Sequence, residues 1–253
     1  MIAEGTALLL VGSQGRRHVV RAAKGMLEVS GLGVIDGDAL CAASFGDMIR
    51  IGGQEFTVLK PSVRDLLNLI ERKAQVMMPK DSFLIPLHLD IGSGSKVIEG
   101  GVGSGALTIV LLRTVAPTGR VFSYEIRDDY AKLAKKNIAM ADLSSCWDLK
   151  VADVCSTQLE KDVDAAVVDI PNPWDAVENV SASLRVGGHL CCYVPNVNQL
   201  DTTVRKMREI GFGEVVAFET LQREMIVHEG GIRPSFDMLG HTGYLAFARK
   251  MKH

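Results

Sequence analysis

The chain has 253 residues, of which 47% are hydrophobic and 23% charged, enough for one large α/β domain with a small companion and too apolar for a disordered chain. Its formal net charge of -2 gives no overall basic character, so a nucleic-acid partner would have to bind local patches or a surface formed on oligomerisation. No stretch approaches the roughly 18 apolar residues of a membrane span, the apolar run near the N-terminus is too short for a secretory signal, and the five cysteines lack zinc or disulfide spacing. We therefore expect a soluble, cytoplasmic protein with free thiols, no membrane contact and no metal.

Residues 1 to about 60 consist of short segments rich in Val, Ile and Leu, separated by turns that contain glycine. The segments are TALLLV, RHVVRA, MLEVS, MIRI and EFTVLK, and the turns include GSQG, GLG, DGD and IGGQ. This pattern predicts a small antiparallel β domain, with a barrel as one form that it could take. PSVRDLLNLIERK follows, with Pro and Ser at its start and apolar residues at helical spacing, and predicts a linking helix. We place the domain boundary within this helix, with residues 1–68 as the β domain and 69–253 as the larger domain.

The larger domain alternates between helical and strand patterns. The predicted helices are DSFLIPLHLD, GALTIVLLRTVA, DDYAKLAKKNIAMA, AVENVSASL and QLDTTVRKMREI, and the predicted strands are KVIEGG, RVFSYEI, WDLKVAD, VDAAVVDI, GHLCCYVP, GEVVAFETL and GHTGYLAFARK. VDAAVVDI is almost wholly apolar, as expected for a strand buried on both faces of a parallel sheet. Alternating units of this kind predict a doubly wound, mostly parallel sheet that binds its ligand at the carboxyl ends of the strands.

A glycine-rich loop follows the first strand of this sheet, in the sequence VIEGGVGSGALT at residues 97–108. Gly101, Gly103 and Ala106 fit the pattern of dinucleotide-binding loops, but S-adenosylmethionine-binding proteins have a similar loop at the same place. Glu99 precedes the glycines, and an acidic residue suits a cofactor with an ammonium group and a cationic sulfur but opposes a pyrophosphate. The charge pattern therefore favours S-adenosylmethionine.

Two more acidic residues follow the next strands. Glu125 ends the second strand, where we expect both carboxylate oxygens to be available to ribose hydroxyls, and Asp153 closes the third, where it could accept from an adenine amino group. The alternative is that both residues only cap the helices that follow.

The fourth strand ends in VVDIPNPW, residues 167–174, in which two prolines and a tryptophan predict a stiff loop with Asp169 directed into the site. This stretch resembles the pattern Asp, aliphatic, Pro, any residue, Pro, Trp of the tRNA adenine N1-methyltransferases that modify the T-loop adenine at position 58, of the archaeal and bacterial homotetrameric type. QVMMPKD (Gln75 to Asp81) is similar to the segment that closes over the cofactor in that family. EGGVGSGALT resembles the family's glycine loop, and GHTGYLAFARK resembles its final strand.

The resemblance implies an α/β, Rossmann-like class I S-adenosylmethionine-dependent methyltransferase fold with a small N-terminal β domain, tRNA as the substrate and four subunits that share it. Whether a neighbouring adenine is also methylated stays open. The implied cofactor contacts are Gln75, Glu99, Gly101, Gly103, Ser104, Gly105, Ala106, Leu107, Glu125, Tyr130, Asp153, Val154 and Asp169.

Ring nitrogen 1 of adenine already has a lone pair, so the chemistry needs no strong base, but methylation leaves a cation on the base. A fixed carboxylate would stabilise that charge and orient the ring, and Asp169 suits this catalytic role. Relatives often have Tyr or His where this chain has Met78, which could contact the base only through its sulfur; the alternative is that Met77 and Met78 belong to the core.

The candidate phosphate contacts are Arg16, Arg17, His18 and Arg21 in one cluster and Arg205, Lys206 and Arg208 in another, with solvated faces as the alternative. His241, in GHTGY, is expected to form structural hydrogen bonds.

Three other functions remain to be separated from this one. A methyltransferase of the same fold could act on protein or a small molecule, and DIPNPW and the final strand argue against it. A nicotinamide-dependent oxidoreductase is disfavoured because no Tyr-x-x-x-Lys appears. A non-catalytic RNA-binding subunit is disfavoured because the acidic residues and the glycine loop are all retained.

Overall fold

The computed structural model describes residues 1–73 and 75–252, with the side chain of residue 14 also outside the description. The N-terminal part forms an antiparallel sheet in the order β2-β1-β6-β5 and a separate hairpin of β3 and β4. The elements are β1 (Ala7–Gly12), β2 (Arg17–Arg21), β3 (Met26–Val29), β4 (Gly33–Asp36), α1 (Gly37–Ala42), β5 (Met48–Ile51) and β6 (Gln54–Leu59). All five predicted strands are present.

The N-terminal sheet is open, with β2 and β5 at its edges, so a closed barrel is not formed. The DGD segment, expected to be a turn, starts α1 instead. Asp36 caps this helix because its side chain accepts hydrogen bonds from the backbone N–H groups of Asp38 and Ala39. Leu40 of α1 is completely buried in the core of the sheet, together with Leu8, Leu10 and Phe56.

The helix α2 (Val63–Leu69) joins this part to the rest of the chain, as the sequence predicts. Ser62 and Asp65 form a reciprocal capping box at its start. Leu66 and Leu67 of α2 pack into the core of the larger sheet. The boundary at residue 68 stays a prediction.

The larger sheet has seven strands in the order β12-β15-β11-β10-β7-β8-β9. The elements are α3 (Pro79–Ser82), α4 (Leu84–His88), β7 (Lys96–Gly100), α5 (Ala106–Val115), β8 (Arg120–Glu125), α6 (Asp128–Met140), β9 (Trp147–Val151), β10 (Val163–Val168), α7 (Val177–Ser183), β11 (Leu184–Val194), α8 (Val197–Glu209), β12 (Phe212–Phe218), β13 (Met225–His228), β14 (Gly231–Pro234) and β15 (Tyr244–Lys250). Neighbouring strands from β9 to β11 are parallel, whereas β15 runs antiparallel to both β11 and β12. The predicted doubly wound, mostly parallel sheet is confirmed.

Two apolar cores cover the two faces of this sheet. Val167 in β10 packs into one core and Val168 into the other, because successive side chains of a strand point to opposite faces. Both residues are completely buried. Burial on both faces explains why β10 is apolar at almost every position.

In the larger domain, the sequence-based elements differ from the structure in two places, and in the small domain the strand β4 was not predicted. DSFLIPLHLD, predicted as one helix, belongs to the two short helices α3 and α4. Pro86 has no N–H with which to donate to the carbonyl of Ser82, so one continuous helix is disfavoured. The hairpin of β13 and β14 was not predicted, and all eight of its residues are exposed.

Contacts join the small domain to the larger one. Arg21 in β2 forms an ion pair of 2.6 Å with Asp142 after α6, whereas Arg17 in β2 pairs with Asp65 in α2 within residues 1–68. The backbone N–H of Ala7 also donates to Asp142. Two of the arginines proposed as phosphate contacts therefore form ion pairs within the chain, and the pair of Arg21 joins the two domains. Among the residues described, no helix combines the length and the apolar character needed to cross a bilayer.

Candidate active site

A cavity of about 630 Å³ lies at the carboxyl ends of β7, β8 and β10. Eleven of the thirteen predicted cofactor contacts line it: Gln75, Gly101, Gly103, Ser104, Ala106, Leu107, Glu125, Tyr130, Asp153, Val154 and Asp169. Glu99 and Gly105 do not. The tertiary structure therefore brings together residues that are up to 94 positions apart in the chain.

The glycine loop between β7 and α5 requires glycine at two positions for different reasons. Gly101 has a φ of +84°, and a Cβ there would overlap the backbone carbonyl of Asp169. Gly103 has a φ of +55°, and a Cβ there would meet no atom within 4 Å. Gly101 thus allows the end of β10 to approach the loop, whereas Gly103 leaves space open above it.

Glu125 at the end of β8 holds the glycine loop in place. Its Oε2 accepts hydrogen bonds from the N–H groups of Val102, at 3.1 Å, and Gly103, at 3.0 Å, and its Oε1 accepts from the N–H of Arg127 at 3.0 Å. Three of about four acceptor positions of this carboxylate are thus used within the chain, and the binding of ribose hydroxyls by Glu125 stays a prediction.

Glu99 is not a cavity residue, contrary to the sequence-based expectation. It is completely buried, and Thr108 donates to both of its oxygens at 2.9 Å while Ser123 donates to one at 2.5 Å. Trp147 in turn donates to Ser123 at 2.8 Å. Burial raises the pKa of Glu99 to about 7. The carboxyl group of Glu99 therefore links β7 to α5 and β8. Alternate residues of β7 point to opposite faces of the sheet, so a position in this strand does not by itself place a side chain at the cavity.

Gly105 is also outside the cavity lining. It precedes α5 with a φ of +83°, and a Cβ at this position would lie 3.4 Å from the side chain of Ala134 in α6. It serves the close packing between the loop and α6.

The turn after β9 forms another wall of the cavity. Asp153 accepts from the N–H of Cys155 at 2.8 Å, and this local bond stabilises a turn instead of capping a helix. Asn179 in α7 donates to the carbonyls of Val154 and Thr157, both at 2.8 Å. Nothing in the sequence pattern pointed to Asn179, since its partners lie more than twenty residues away.

Asp169 follows β10 and lies against the glycine loop. Its backbone N–H donates to the carbonyl of Gly100 at 2.8 Å. Within residues 1–73 and 75–252, its carboxylate accepts no hydrogen bond, so this side chain does not tie down the Pro-rich loop that follows. The side chain is exposed to the cavity, yet the surrounding protein displaces bulk solvent and raises the pKa of Asp169 to about 6.

The charges around the cavity fit a cation better than a pyrophosphate. The lining residues include four acidic side chains, Glu125, Asp153, Asp169 and Asp175, and one guanidinium, that of Arg127. Arg127 itself pairs with Asp129 at 3.3 Å and stacks 4.1 Å from the ring centre of Tyr130. The N–H groups of Val102 and Gly103 in the glycine loop, which a phosphate could otherwise bind, already donate to Glu125.

Several lining residues were not predicted. They are Val76, Met77, Val102, Tyr124, Ile126, Arg127, Ala152, Cys155, Ile170, Pro171, Asn172 and Asp175. Most adjoin a predicted residue in the chain, and this proximity was the available signal. Met77 is buried in the large core as well, as the alternative interpretation held, whereas Met78 is 37% exposed.

The comparisons with known proteins agree with this arrangement. Residues 58–232 match the family described as the tRNA methyltransferase complex GCD14 subunit. The chain belongs to this family. It is 34% identical to the tRNA (adenine(57)-N(1)/adenine(58)-N(1))-methyltransferase TrmI of Methanocaldococcus jannaschii, over 95% of this chain and 94% of the relative. It is 30% identical to a tRNA (adenine(58)-N(1))-methyltransferase TrmI of Thermus thermophilus, over 97% of each chain.

Two solved structures of family-like proteins superpose over the whole chain. The tRNA (m1A58) methyltransferase TrmI of Aquifex aeolicus has a TM-score of 0.78 and 29% identity, covering 100% of this chain and 99% of that one. A SAM-dependent O-methyltransferase of Thermotoga maritima has a TM-score of 0.86 and 33% identity, covering 100% and 95%. The predicted Rossmann-like S-adenosylmethionine-dependent methyltransferase fold with a small N-terminal β domain is confirmed.

The remaining candidates for site residues are mostly engaged in other contacts. In α8, Arg205 pairs with Asp201 at 2.7 Å and Lys206 with Glu209 at 2.9 Å, as expected for a solvated helix face. Both ring nitrogens of His241 form hydrogen bonds, to Glu219 at 3.1 Å and to the carbonyl of Pro195 at 2.7 Å. The structural role expected for His241 is confirmed. The described residues contain no group of three or more side chains arranged to bind a metal.

Proposed function

We propose that this protein transfers a methyl group from S-adenosylmethionine to ring nitrogen 1 of the adenine at position 58 of tRNA. Membership of the GCD14 family and the 34% and 30% identities to TrmI enzymes support the substrate. The name of the archaeal relative also includes adenine 57, so methylation of that neighbouring adenine is an open alternative.

The observation that carries the proposal is Asp169 at the cavity. It is the acidic side chain of the Asp-Ile-Pro-Asn-Pro-Trp stretch, it lies against the glycine loop, and among the described residues it has no hydrogen-bond partner for its carboxylate. A carboxylate held in this way is available to a substrate.

S-adenosylmethionine, when bound, supplies a methyl group on a cationic sulfur. The remaining acidic side chains at the cavity, Glu125, Asp153 and Asp175, suit a cation and hydrogen-bond donors. Glu125 also holds the loop that borders the cofactor space. The open space above Gly103 leaves room for the ligand.

Asp169 would accept a hydrogen bond from the exocyclic amino group of adenine and would face the positive charge that forms on the ring. A negative group fixed where charge develops stabilises the transition state without reorganising during the reaction. The carboxylate does not need to remove a proton to start the attack, because nitrogen 1 has a free lone pair. The target base must first leave its stack to reach the cavity.

We also propose a homotetramer in the cytoplasm, in which several subunits bind one tRNA. The β13–β14 hairpin supports an oligomer, because Val227 and Ile232 are 72% and 67% exposed, and Phe236, just after it, is 83% exposed. Arg17, Arg21, Arg205 and Lys206 form ion pairs within the chain, so a surface made of several subunits would add cations to those that one subunit offers to phosphates.

The test is methylation of an unmodified tRNA transcript with labelled S-adenosylmethionine, followed by mapping of the modified nucleotide. Matched transcripts with G at position 58 or at position 57 locate the target. We expect 1-methyladenosine that disappears with the change at 58. Label that does not enter tRNA, or that appears as a 2′-O-methyl group, would overturn the proposal; the second outcome would agree with the name of the Thermotoga neighbour.

A further inference from the structure

The segment between α2 and α3 lines the cavity and belongs to no helix or strand among its described residues. We call residues 71–78 the strap; it lies between α2 and α3, and residue 74 is outside the described part. Gln75, Val76 and Met77 of the strap line the cavity. A segment without regular secondary structure has few backbone hydrogen bonds of its own, so its path depends on contacts with neighbouring elements.

Asn137 in α6 fixes the first residue of the strap to the glycine loop. Its Oδ1 accepts from the N–H of Glu71 at 3.2 Å, and its Nδ2 donates to the carbonyls of Glu71 at 2.9 Å and Ser104 at 2.8 Å. Asn137 is 1% exposed. The N–H of Lys73 adds a bond of 3.4 Å to the hydroxyl of Ser104.

Asn137 is a polar residue on the otherwise apolar buried face of α6. Asparagine is a poor helix former and is costly to bury without partners. Leu133, Ala134 and Ile138 make the rest of this face apolar. Asn137 is compensated by three hydrogen bonds, and all of them go to the strap and the glycine loop.

A buried ion pair fixes the other end of the strap. The Nζ of Lys80 lies 2.9 Å and 3.0 Å from the two oxygens of Asp81, 2.6 Å from the hydroxyl of Thr242 and 2.7 Å from the carbonyl of Thr220. Thr242 donates to Asp81 at 2.7 Å. The side chains of Lys80 and Asp81 are 9% and 0% exposed. This cluster joins the start of α3 to the segment before β15.

We propose that Asn137 is a positioning residue for the cofactor site, which holds the strap against the glycine loop while the Lys80–Asp81–Thr242 cluster holds the strap's other end. The proposal rests on the proposed function, since the ligand of this cavity is taken to be S-adenosylmethionine. Asn137 acts through the strap and does not line the cavity itself.

The experiment measures S-adenosylmethionine binding and methyl transfer in Asn137→Ala. Because the strap loses its anchor at the glycine loop, we expect the Kd and the KM for the cofactor to rise about tenfold, or about 1.4 kcal/mol, and its dissociation to become faster. Single-turnover transfer at saturating cofactor should stay within about twofold of wild type, because ground-state binding alone is changed.

Thr203→Ala is the matched control. Thr203 is also completely buried on a helix and donates to a carbonyl, that of Gln199 at 2.7 Å, but it lies in α8 and does not line the cavity. We expect a comparable loss of folding stability with unchanged cofactor affinity. An unchanged Kd in Asn137→Ala, or an equal change in Thr203→Ala, would overturn the positioning role.

Thr242→Val gives a second, independent variant, in case Asn137→Ala fails to fold. It removes the hydroxyl shared by Lys80 and Asp81 and leaves the ion pair in place. Conservative Asn137→Asp retains the acceptor for Glu71 and loses both donations, so its affinity should fall as well. Unchanged affinity in both of these variants would also overturn the proposal.

The double mutant Asn137→Ala/Thr242→Val tests whether the two ends of the strap act together. If releasing one end already loosens the whole strap, releasing the other end as well should weaken cofactor binding by less than it does in the single variant. The two effects on Kd should therefore combine to less than their product. Simple multiplication would show that the two ends act separately. Wild-type protein that does not bind S-adenosylmethionine would instead overturn the proposed function, and this outcome is distinguishable from an unaffected variant.

Discussion

Asp169→Asn separates the charge of this side chain from its shape. Asparagine keeps the size and an oxygen that accepts a hydrogen bond from an adenine amino group, but it brings no negative charge to the cation that forms. By analogy with the removal of one oxyanion-hole donor, we expect turnover to fall about 10²–10³-fold, or about 2.7–4 kcal/mol. Cofactor affinity should change much less, because the glycine loop and Glu125 are unaltered.

The raised pKa of Asp169 sets the expected pH dependence. The carboxyl has a pKa of about 6 in the folded protein against an ordinary value of 3.8, so the charge needed for catalysis is lost as the pH falls through 6. Wild-type single-turnover rates should decrease about tenfold per pH unit well below that value. Asp169→Asn should lack this acidic limb.

The same shift predicts a gain in stability. An acid whose pKa is raised on folding destabilises the folded state once it is ionised, so the penalty is present above pH 6 and absent below pH 3.8. Because the side chain faces solvent, screening reduces the penalty, and we expect Asp169→Asn to raise the free energy of unfolding at pH 8 by about 1 kcal/mol.

The assay is methyl transfer to tRNA with enzyme in excess and saturating cofactor, from pH 5 to pH 8.5, with urea unfolding of both proteins at pH 8. A variant within about fivefold of wild type at pH 8 would refute the electrostatic role. Such a result would mean that the Asp169 side chain only positions the adenine. A variant that keeps the acidic limb would show that a different group titrates.

Three further outcomes follow. Gly103→Val should abolish S-adenosylmethionine binding in a calorimetric titration with little change in circular dichroism, because the side chain would enter the open space above the loop; unchanged affinity would place the cofactor elsewhere. Glu99→Gln should remove a pH-dependent loss of stability: burial raises the pKa of Glu99 from 4.5 to about 7, so the wild type should lose up to about 3 kcal/mol of unfolding free energy between pH 4.5 and pH 8. Parallel wild-type and variant curves in urea unfolding would contradict this. Binding to tRNA should weaken steeply with salt, with a log–log slope of about -0.7 to -0.9 per phosphate contact, in an oligomeric protein; a monomer in light scattering or salt-independent binding would contradict the composite surface.

The sequence by itself determined the order and type of most elements in this protein. Periodicity identified α2 and α8, because an exposed and a buried face leave a regular pattern in the chain, and continuous apolar runs identified β1 and β10. It failed at α3 and α4, where Pro86 interrupts an apolar helical pattern, and at the β13–β14 hairpin, whose residues are all exposed. A strand without a buried face leaves little periodic signal.

The glycine loop and the Asp-Ile-Pro-Asn-Pro-Trp stretch also identified the family and most of the cavity, since a loop that follows a strand has a known place in a parallel sheet. Only the tertiary structure decided the roles of three acidic residues. Glu99, Glu125 and Asp169 are alike in the sequence, since all three lie at or near strand ends. The carboxylate of Glu99 accepts hydrogen bonds from Thr108 and Ser123 outside the cavity lining. The carboxylate of Glu125 binds the backbone of the glycine loop, and that of Asp169 faces the cavity. The direction of a side chain depends on strand register, and its free hydrogen-bonding capacity depends on distant partners. Sequence analysis also could not identify Asn137, because its role comes from contacts with residues 33 and 66 positions away.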